Sequence, residues 1–217
     1  MGTLWILNHY AISPDMSGGT RHFDLARELV KKGHEVTIFA SGFDHHTRQY
    51  LKIKPGEKMR VEEYDGVRFV WVNTLPYTKN DWRRVLNMLS YGWRVLRCSR
   101  GLPKPDAVIG SSMHPFAALA GWWLARRDKA KFIFEVRDLW PQVLIDMGEM
   151  SEHNPIIKVL RRLELFLYRK SERIIILGSQ MREYIIAHGI NQEKIVWIPN
   201  GVDLSRFDSV TPERENK

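Results

Sequence analysis

The sequence predicts an α/β fold with a Rossmann-like, doubly wound and mostly parallel sheet. Three observations predict it: short apolar runs recur along the chain, helical patterns separate most of them, and a glycine loop follows the first run. That loop holds Gly18-Gly19 and lies between the apolar runs 4–7 and 36–40. The order strand, glycine loop, helix, strand builds a parallel sheet with a ligand site at its strand ends.

Seven strands are expected, and helices alternate with most of them. The strands are residues 4–7, 35–40, 68–73, 107–110, 131–136, 173–177 and 194–198. After the glycines, Thr20 can cap a helix that Gly33 ends. Pro115 and Pro155 each open another helix at its first position, and Ser179 can cap a further one.

Two segments depart from this alternation. Residues 42–66 are polar and rich in Lys and Arg, and we expect a functional flap there because long structureless loops are uncommon inside compact domains. The last residues, 209–217, are polar without an apolar pattern. Residues 204–217 are therefore expected to begin an interdomain linker after one domain at residues 1–203.

Composition limits the possible classes. With 217 residues, 44% of them hydrophobic, the chain can bury a sizeable core. The single cysteine, Cys98, excludes an internal disulfide and fits a reducing compartment. No basic leader precedes the first apolar run, and the longest apolar stretch, 115–125, is shorter than the roughly 20 residues of a spanning helix. These features predict a cytoplasmic protein.

The net charge of +8 predicts anionic partners. Nucleic acid is disfavoured, because the chain has no zinc-finger spacing, no RRM-type signature and no basic region with heptads. A phosphorylated small molecule and an acidic lipid surface remain as the expected partners.

Several short motifs, in register with the predicted strands, resemble one family. They are Asn8-His9-Tyr10-Ala11-Ile12-Ser13-Pro14, Ser17-Gly18-Gly19-Thr20-Arg21, Gly33-His34-Glu35-Val36-Thr37, Ser111-Ser112-Met113-His114-Pro115, Val136-Arg137-Asp138-Leu139-Trp140-Pro141 and Ile198-Pro199-Asn200-Gly201-Val202-Asp203. Over residues 4–207 the chain resembles the N-terminal half of a GT-B glycosyltransferase of family 4, the retaining enzymes. The resemblance implies two facing Rossmann-like domains, with the nucleotide-sugar held chiefly by the C-terminal one. The present chain, as the acceptor-side half, is therefore expected to be inactive alone.

The activity implied by this resemblance is transfer of a sugar, of the hexosyl type, from a nucleotide-sugar donor. A lipid-linked or saccharide acceptor in surface polysaccharide or glycolipid synthesis is expected, with no cofactor and no metal. The rivals are a sugar-nucleotide epimerase of the same fold and a non-enzymatic anion-binding Rossmann module. Glu164 and Glu172 have the eight-residue spacing of the family's C-terminal glutamate pair, but no glycine loop accompanies them, and we assign them no catalytic role.

The glycine loop is the first candidate site. The N–H groups of Gly18, Gly19 and Thr20 precede a helix, where the helix dipole and unpaired amides favour an anion such as a diphosphate. Arg21 follows directly and is included as a substrate-binding residue. The alternative is that the glycines only form a tight turn.

The ends of later predicted strands supply the other candidates. By resemblance His114 contacts the transferred sugar, and we assign it as catalytic. Arg137 and Asp138 are assigned to substrate binding, and the alternative for them is a structural ion pair. Asn200 in the last motif is also assigned to substrate binding. His9 and the His45-His46 pair are expected to be loop residues, since metal coordination needs further ligands that the sequence does not place.

The segment 82–100 predicts an amphipathic helix with two possible roles. Its apolar face carries Trp82, Val85, Leu86, Leu89, Trp93 and Leu96, with Arg83, Arg94 and Arg97 opposite or along the border. On an anionic membrane Trp82, Arg83, Trp93, Arg94 and Arg97 would make contact, each basic residue contributing about 1 kcal/mol. Alternatively, the apolar face packs on the sheet.

Overall fold

A computed structural model describes residues 1–201. The described residues contain ten strands, six α-helices and one short 3₁₀ helix at Gln192–Lys194. The strands are β1 (Thr3–Leu7), β2 (Glu35–Ser41), β3 (Phe43–Asp44), β4 (Gln49–Tyr50), β5 (Met59–Tyr64), β6 (Val67–Val72), β7 (Ala107–Ser111), β8 (Lys131–Val136), β9 (Arg173–Ile176) and β10 (Ile195–Trp197). The helices are α1 (Arg21–Lys31), α2 (Trp82–Cys98), α3 (Pro115–Asp128), α4 (Gln142–Asp146), α5 (Pro155–Lys170) and α6 (Met181–Ala187).

The predicted fold class is confirmed. All seven predicted strands are present, and they join in a single sheet of order β10-β9-β8-β7-β1-β2-β6-β5. Every neighbouring pair is parallel except β5 with β6. The predicted linker at 204–217 lies outside the described residues.

The strand count of seven is wrong, because the sheet has eight strands. Residues 42–66 are not a structureless flap: β3 and β4 form a small hairpin there, and β5 joins the edge of the main sheet. β5 pairs antiparallel with β6 through the turn Asp65-Gly66, whose φ values of 49° and 78° suit the tight turn of a two-residue hairpin. Every second residue of β5 is exposed, as expected of an edge strand.

The helices begin close to their predicted starts. Pro115 and Pro155 open α3 and α5, and Asn154 caps α5 by accepting a hydrogen bond from the Ile156 N–H. Thr20 precedes α1, but its hydroxyl donates to Asp24 instead of capping a backbone amide. Ser179 is not the capping residue of α6, because Gln180 occupies that position.

The two faces of the sheet are covered unequally. α1 packs on one face, where Phe23 and Ala26 join a buried cluster with Ile38 and Phe69. α2, α3, α5 and α6 contribute to the larger cluster on the other face. No helix among residues 1–201 is long and apolar enough to cross a membrane.

α3 packs very close to β7 of the sheet, and this close packing fixes the position of the N-terminus of α3. A Cβ atom on Gly110 of β7 would lie only 2.8 Å from the Cα of Ala118 on α3. Gly121 meets the same strand from the helix side, with its Cβ position 3.1 Å from the Gly110 Cα. The missing side chains therefore allow α3 to approach β7, which brings His114 at its N-cap against the loop after β1.

The strand order places a crevice between β1 and β7. From β1 the chain proceeds outward through β2 to β6, then returns through α2 to β7 on the other side of β1. The loops after β1 and β7 therefore diverge at a topological switch point, where open α/β sheets bind their ligands at the carboxyl ends of the strands. Most of the predicted site residues follow strands at this edge.

Candidate functional site

A buried pair of histidines forms the floor of the crevice. His9, which follows β1, and His114, which follows β7, are 2% and 1% exposed, and His9 Nδ1 lies 2.7 Å from His114 Nε2. Tyr10 and Tyr91 stack on the two faces of the His9 ring, each with its centroid 4.5 Å away. His9 lies in the loop after β1, as predicted, but it is buried there against His114 instead of being exposed.

The hydrogen bonds define how protons are arranged on this pair. His114 Nδ1 accepts from the Ala117 N–H at 3.3 Å, so its proton is on Nε2 and is donated to His9 Nδ1. Burial, together with the charge of Arg84, lowers the pKa of His114 to about 3. Burial and the neighbouring His114 hold the pKa of His9 well below its usual range. Both rings are consequently neutral near pH 7.

The catalytic assignment of His114 stays a prediction, but the structure limits how it can act. Both of its ring nitrogens are used within the protein, one by His9 and one by Ala117. A sugar hydroxyl would meet a neutral ring that is already oriented by two hydrogen bonds. His114 therefore has the properties of an orienting group and cannot supply an imidazolium charge at neutral pH.

The glycine loop is exposed at the N-terminus of α1. Gly18 has a φ of 136°, and a Cβ there would lie 2.8 Å from the Ile12 Cδ1, whereas a Cβ on Gly19 would meet nothing within 4 Å. Both glycines are exposed, and in residues 1–201 neither of their N–H groups takes part in a hydrogen bond. Thr20 is buried. The two adjacent amides directly precede the N-cap of an eleven-residue helix, a position that favours binding of an anion.

Arg21 is buried beneath this loop and bonded on every side. Its Nε donates to Glu135 of β8 at 3.2 Å, while Nη1 and Nη2 donate to the carbonyls of Pro199 and Ile198 at 2.6 and 2.9 Å. Arg21 thus fastens the start of α1 to the segment that leaves β10. Its predicted contact with substrate remains untested, and all three nitrogen atoms already donate within the protein.

Glu135 is the centre of a buried network that the sequence analysis did not single out. Besides Arg21, it accepts a hydrogen bond from His22 at 2.6 Å, and the other nitrogen of His22 contacts Asn8 at 2.9 Å. Although burial opposes ionisation, His22 and Arg21 hold the pKa of Glu135 far below its usual range. A glutamate in the apolar run 131–136 is the signal that could have revealed it, because a buried carboxylate requires partners.

Arg137 and Asp138 reach the same edge from β8 but are not paired. No close ion pair joins their side chains, but the charge of Arg137 opposes the rise in the pKa of Asp138, so the two groups still interact. The Arg137 Nε is buried without a hydrogen-bond partner among residues 1–201, and burial raises the pKa of Asp138. The Arg137 amide donates to the Ser112 hydroxyl at 3.3 Å, which links the loops after β7 and β8. Asn200 is exposed at the end of the described residues.

The two glutamates spaced eight residues apart do not form a site. Glu164 is buried on α5, where it accepts from Tyr168 at 3.0 Å and from Arg161 at 2.9 Å. Burial raises its pKa to about 7, with Arg161 opposing. Glu172 is exposed and paired with Lys131 at 3.2 Å. These contacts agree with the decision to give neither residue a catalytic role.

The apolar face predicted for residues 82–100 points outward. Trp82 and Trp93 are 64% and 59% exposed, and Val85, Leu86 and Leu89 are also exposed. The face that α2 buries carries Asn87, Met88, Tyr91, Gly92, Val95 and Cys98. The alternative in which the apolar face packs on the sheet is therefore wrong for all of that face except the partly buried Leu96.

The basic residues of α2 are divided between two environments. The guanidinium of Arg83 lies 5.5 Å above the Trp82 ring, and that of Arg97 lies 4.8 Å above the Trp93 ring. Arg94 instead turns toward the end of β6, where it donates to the carbonyl and side chain of Asn73. Two of the three predicted arginines therefore border the exposed face.

Metal ligands are not clustered in the part of the chain that the structure describes. No group of three or more His, Cys, Asp or Glu side chains there is arranged to hold an ion. Metal independence remains a prediction.

Sequence comparison finds similarity to known proteins over most of the chain. The sequence matches the glycosyl transferase 4-like domain family over residues 18–201. It is 22% identical over 209 residues to WcaI of Escherichia coli K12, which is provisionally named a colanic acid biosynthesis glycosyl transferase. The match covers 91% of this chain and 50% of WcaI, so the chain spans about half the length of that relative.

Solved structures share the fold at low sequence identity. Arabidopsis thaliana UGT89C1, solved with UDP, superposes with a TM-score of 0.58 at 12% identity, covering 94% of this chain and 50% of its own. Anabaena HepE, solved with UDP-glucose, superposes with a TM-score of 0.54 at 11% identity, covering 94% of this chain and 45% of HepE. A UDP-N-acetylglucosamine 2-epimerase from Rickettsia bellii superposes with a TM-score of 0.50 at 14% identity, covering 96% of this chain and 48% of the epimerase.

Proposed function

Because the chain belongs to the glycosyl transferase 4-like domain family, we propose that it is the acceptor-side domain of a retaining GT-B glycosyltransferase. The donor is a nucleotide-sugar and the acceptor a saccharide, lipid-linked in surface polysaccharide or glycolipid synthesis. The observation that carries the proposal is the pair of unused amides at Gly18 and Gly19, which lead into α1 at the carboxyl edge of the sheet. A C-terminal domain outside this chain completes the cleft and binds most of the donor.

The chemistry of transfer explains why such amides are useful. Cleavage of the glycosidic bond to a diphosphate gives an oxocarbenium-like sugar and a leaving group that gains negative charge. Fixed N–H donors and a helix N-terminus stabilise that charge more in the transition state than in the bound substrate. Amides at this place can do this without a metal ion, which supports the proposed metal independence.

The remaining residues of the crevice have consistent roles in this proposal. The neutral His114, held by His9, presents a fixed ring edge beside the reacting sugar. Arg137, whose Nε has no hydrogen-bond partner among residues 1–201, and Asp138 lie on the neighbouring loop and are suited to acceptor hydroxyls. Arg21 keeps the segment with Asn200 next to the glycine loop through its bonds to Ile198 and Pro199.

Transfer assays with radiolabelled UDP-sugars test the proposal. We expect no transfer from the 217-residue chain alone, since half a cleft leaves the donor unheld and exposed to water. A longer protein that includes a second domain beyond residue 217 should transfer the sugar with retention at the anomeric carbon. Efficient transfer by the chain alone would contradict the half-enzyme proposal. Acceptor-free conversion of UDP-N-acetylglucosamine to its C2 epimer would favour the rival epimerase.

The exposed face of α2 favours a peripheral position on an anionic membrane. Trp82 and Trp93 stand at its two ends with Arg83 and Arg97 over their rings, and Trp123 of α3 is exposed nearby. Aromatic side chains with adjacent arginines suit the interface between acyl chains and acidic headgroups. Lys58, Arg94 and Arg97 also line a cavity of about 500 Å³ at the end of the helix. A lipid-linked acceptor would be reached from this position.

Sedimentation with vesicles of anionic or zwitterionic lipid measures the membrane contact. We expect binding to anionic vesicles only, and a decline with salt because charges are screened over about 10 Å at 0.1 M. Trp82→Ser with Trp93→Ser should abolish binding, and Arg83→Gln with Arg97→Gln should weaken it. Arg162→Gln, on the exposed surface of α5, is the matched charge control. Equal binding to both lipids, or equal losses from the control, would contradict a membrane role.

A further inference from the structure

One arginine beside the crevice has no acidic partner. Arg84, in the first turn of α2, forms no ion pair with any carboxylate among residues 1–201, and its Nε is buried without a hydrogen-bond partner. The adjacent Arg83 differs, since it is half exposed and lies 3.9 Å from Asp81. An unpaired guanidinium atom removed from water is unfavourable unless another molecule supplies the missing acceptor.

The helix directs Arg84 toward the histidine pair. Arg84, Asn87 and Tyr91 are spaced three and four residues apart and so share one side of α2. Tyr91 on that side stacks on His9, and Asn87 is buried against the loop after β6, donating to Leu75 O at 2.6 Å. Arg84 is thereby brought to the carboxyl edge of the sheet, on the outer side of the crevice.

The groups on which the Arg84 charge acts come from several loops. Asp44 acts on two of them, His45 and Tyr77, but forms no ion pair with Arg84. Burial lowers the pKa of His9, His45 and His114, and the charge of Arg84 lowers it as well. Burial raises the pKa of Tyr10 and Tyr77, and the charge of Arg84 opposes that rise. The Tyr10 hydroxyl is buried beside the Arg84 guanidinium, which opposes the rise in the Tyr10 pKa through its charge and a hydrogen bond. The hydroxyl's own hydrogen, like the Arg84 Nε, has no acceptor among the described residues. A guanidinium and a hydroxyl with unused hydrogens therefore lie together where the loops after β1, β3 and β6 meet.

We propose that Arg84 and Tyr10 bind an anionic group of the acceptor, a carboxylate or a phosphate. A guanidinium offers several donors in a planar fork that matches either anion, and the tyrosine hydroxyl adds one more. The neutral histidines nearby contribute no competing charge. The proposal rests on the proposed glycosyl transfer in one respect, that the anion belongs to the acceptor, and it makes the enzyme selective for acidic acceptors.

Binding of small anions to the 217-residue chain tests this site without any transfer reaction. Inorganic phosphate and glucuronate are titrated separately, with glucose as the neutral control, and tryptophan fluorescence or NMR reports the Kd. We expect one of the two anions to bind and glucose not to bind. Phosphate binding alone identifies a phosphorylated acceptor, and glucuronate binding alone identifies an acidic sugar. Absence of binding by both anions would overturn the proposal.

Two variants at adjacent positions separate this site from general surface charge. Arg84→Met should weaken anion binding by about ten- to a hundredfold, as expected for the loss of charged hydrogen bonds. Arg83→Gln should leave it unchanged, and Tyr10→Phe should weaken it several-fold. Equal effects of Arg83→Gln and Arg84→Met would overturn the proposal.

Stability distinguishes a ligand site from a structural role. Because the Arg84 Nε bonds to nothing in the protein, Arg84→Met should keep or raise the Tm, whereas a structural arginine would lower it. A clear fall in Tm together with unchanged anion binding would therefore overturn the proposal. Anion binding that depends on Arg84 in a protein that never transfers sugar would refute the proposed function and leave the site intact.

Discussion

Replacing Glu135 by alanine is expected to cost roughly 3–5 kcal/mol of unfolding free energy, the usual penalty for breaking a buried ion pair from one side. Glu135 is 2% exposed and accepts hydrogen bonds from Arg21 and His22. Removal of the carboxylate leaves both partners buried, and Arg21 also loses the anchor that orients it toward Ile198 and Pro199. Urea denaturation followed by tryptophan fluorescence measures the loss.

An exposed glutamate provides the matched control. Glu172→Ala removes a carboxylate that is half exposed and paired only with Lys131, so it should cost less than about 1 kcal/mol. Equal losses from the two variants would contradict the assigned importance of the buried network. A nearly normal free energy of unfolding for Glu135→Ala would also contradict the importance of the buried network.

The loss should depend on pH in a defined direction. The pKa of Glu135 is lower in the folded protein than its ordinary value of 4.5, because His22 and Arg21 favour the charged form over the opposition of burial. Its contribution to stability is therefore present above about 4.5 and declines as the pH falls below that value. Wild type and Glu135→Ala should converge in acid, and a difference that stays constant from pH 7 to pH 3 would contradict this account.

The sequence was sufficient for the strands because each is a short apolar run bounded by polar, Gly or Pro residues. It was insufficient for the short β3 and β4 and for β5, where polar and exposed residues follow from the edge position of the strand. The signal for β5 was present in Asp65-Gly66, a strong hairpin dipeptide between two strand-like runs. That turn was missed because charge in residues 42–66 was given more weight than alternation.

For the candidate site, the sequence predicted the position but not the partners of each side chain. Its position followed from topology, since residues after β1, β7 and β8 must meet at one edge of a parallel sheet. The partners of each side chain did not follow, because they depend on packing across the sheet: Glu135 joins Arg21 over 114 positions, and His9 joins His114 over 105. A helical wheel likewise gave the two faces of α2 and could not determine that the polar Asn87 lies inward while Trp93 lies outward.

Replacing Gly19 by valine should reduce turnover of the complete two-domain enzyme by about a hundredfold, equivalent to roughly 3 kcal/mol, the usual effect of losing one main-chain donor to a developing charge. A side chain at Gly19 would project into open space, where the proposed diphosphate approaches the backbone. No atom lies within 4 Å of the added Cβ and the φ of Gly19 is not left-handed, so the fold should lose little stability. Rate and Tm are measured on the same preparation.

The neighbouring glycine separates a ligand site from a turn. Gly18 has a φ of 136° and a Cβ position 2.8 Å from Ile12, so Gly18→Ala should lower the Tm through backbone strain. Gly19→Ala, with a smaller side chain, should give a smaller loss of turnover than Gly19→Val and no change in Tm. Normal turnover in Gly19→Val would remove the anion from this loop. If turnover and Tm fall together in the variants of both glycines, Gly18 and Gly19 only form a turn. The loss of turnover would then result from the damaged fold and not from blocked access to the amides.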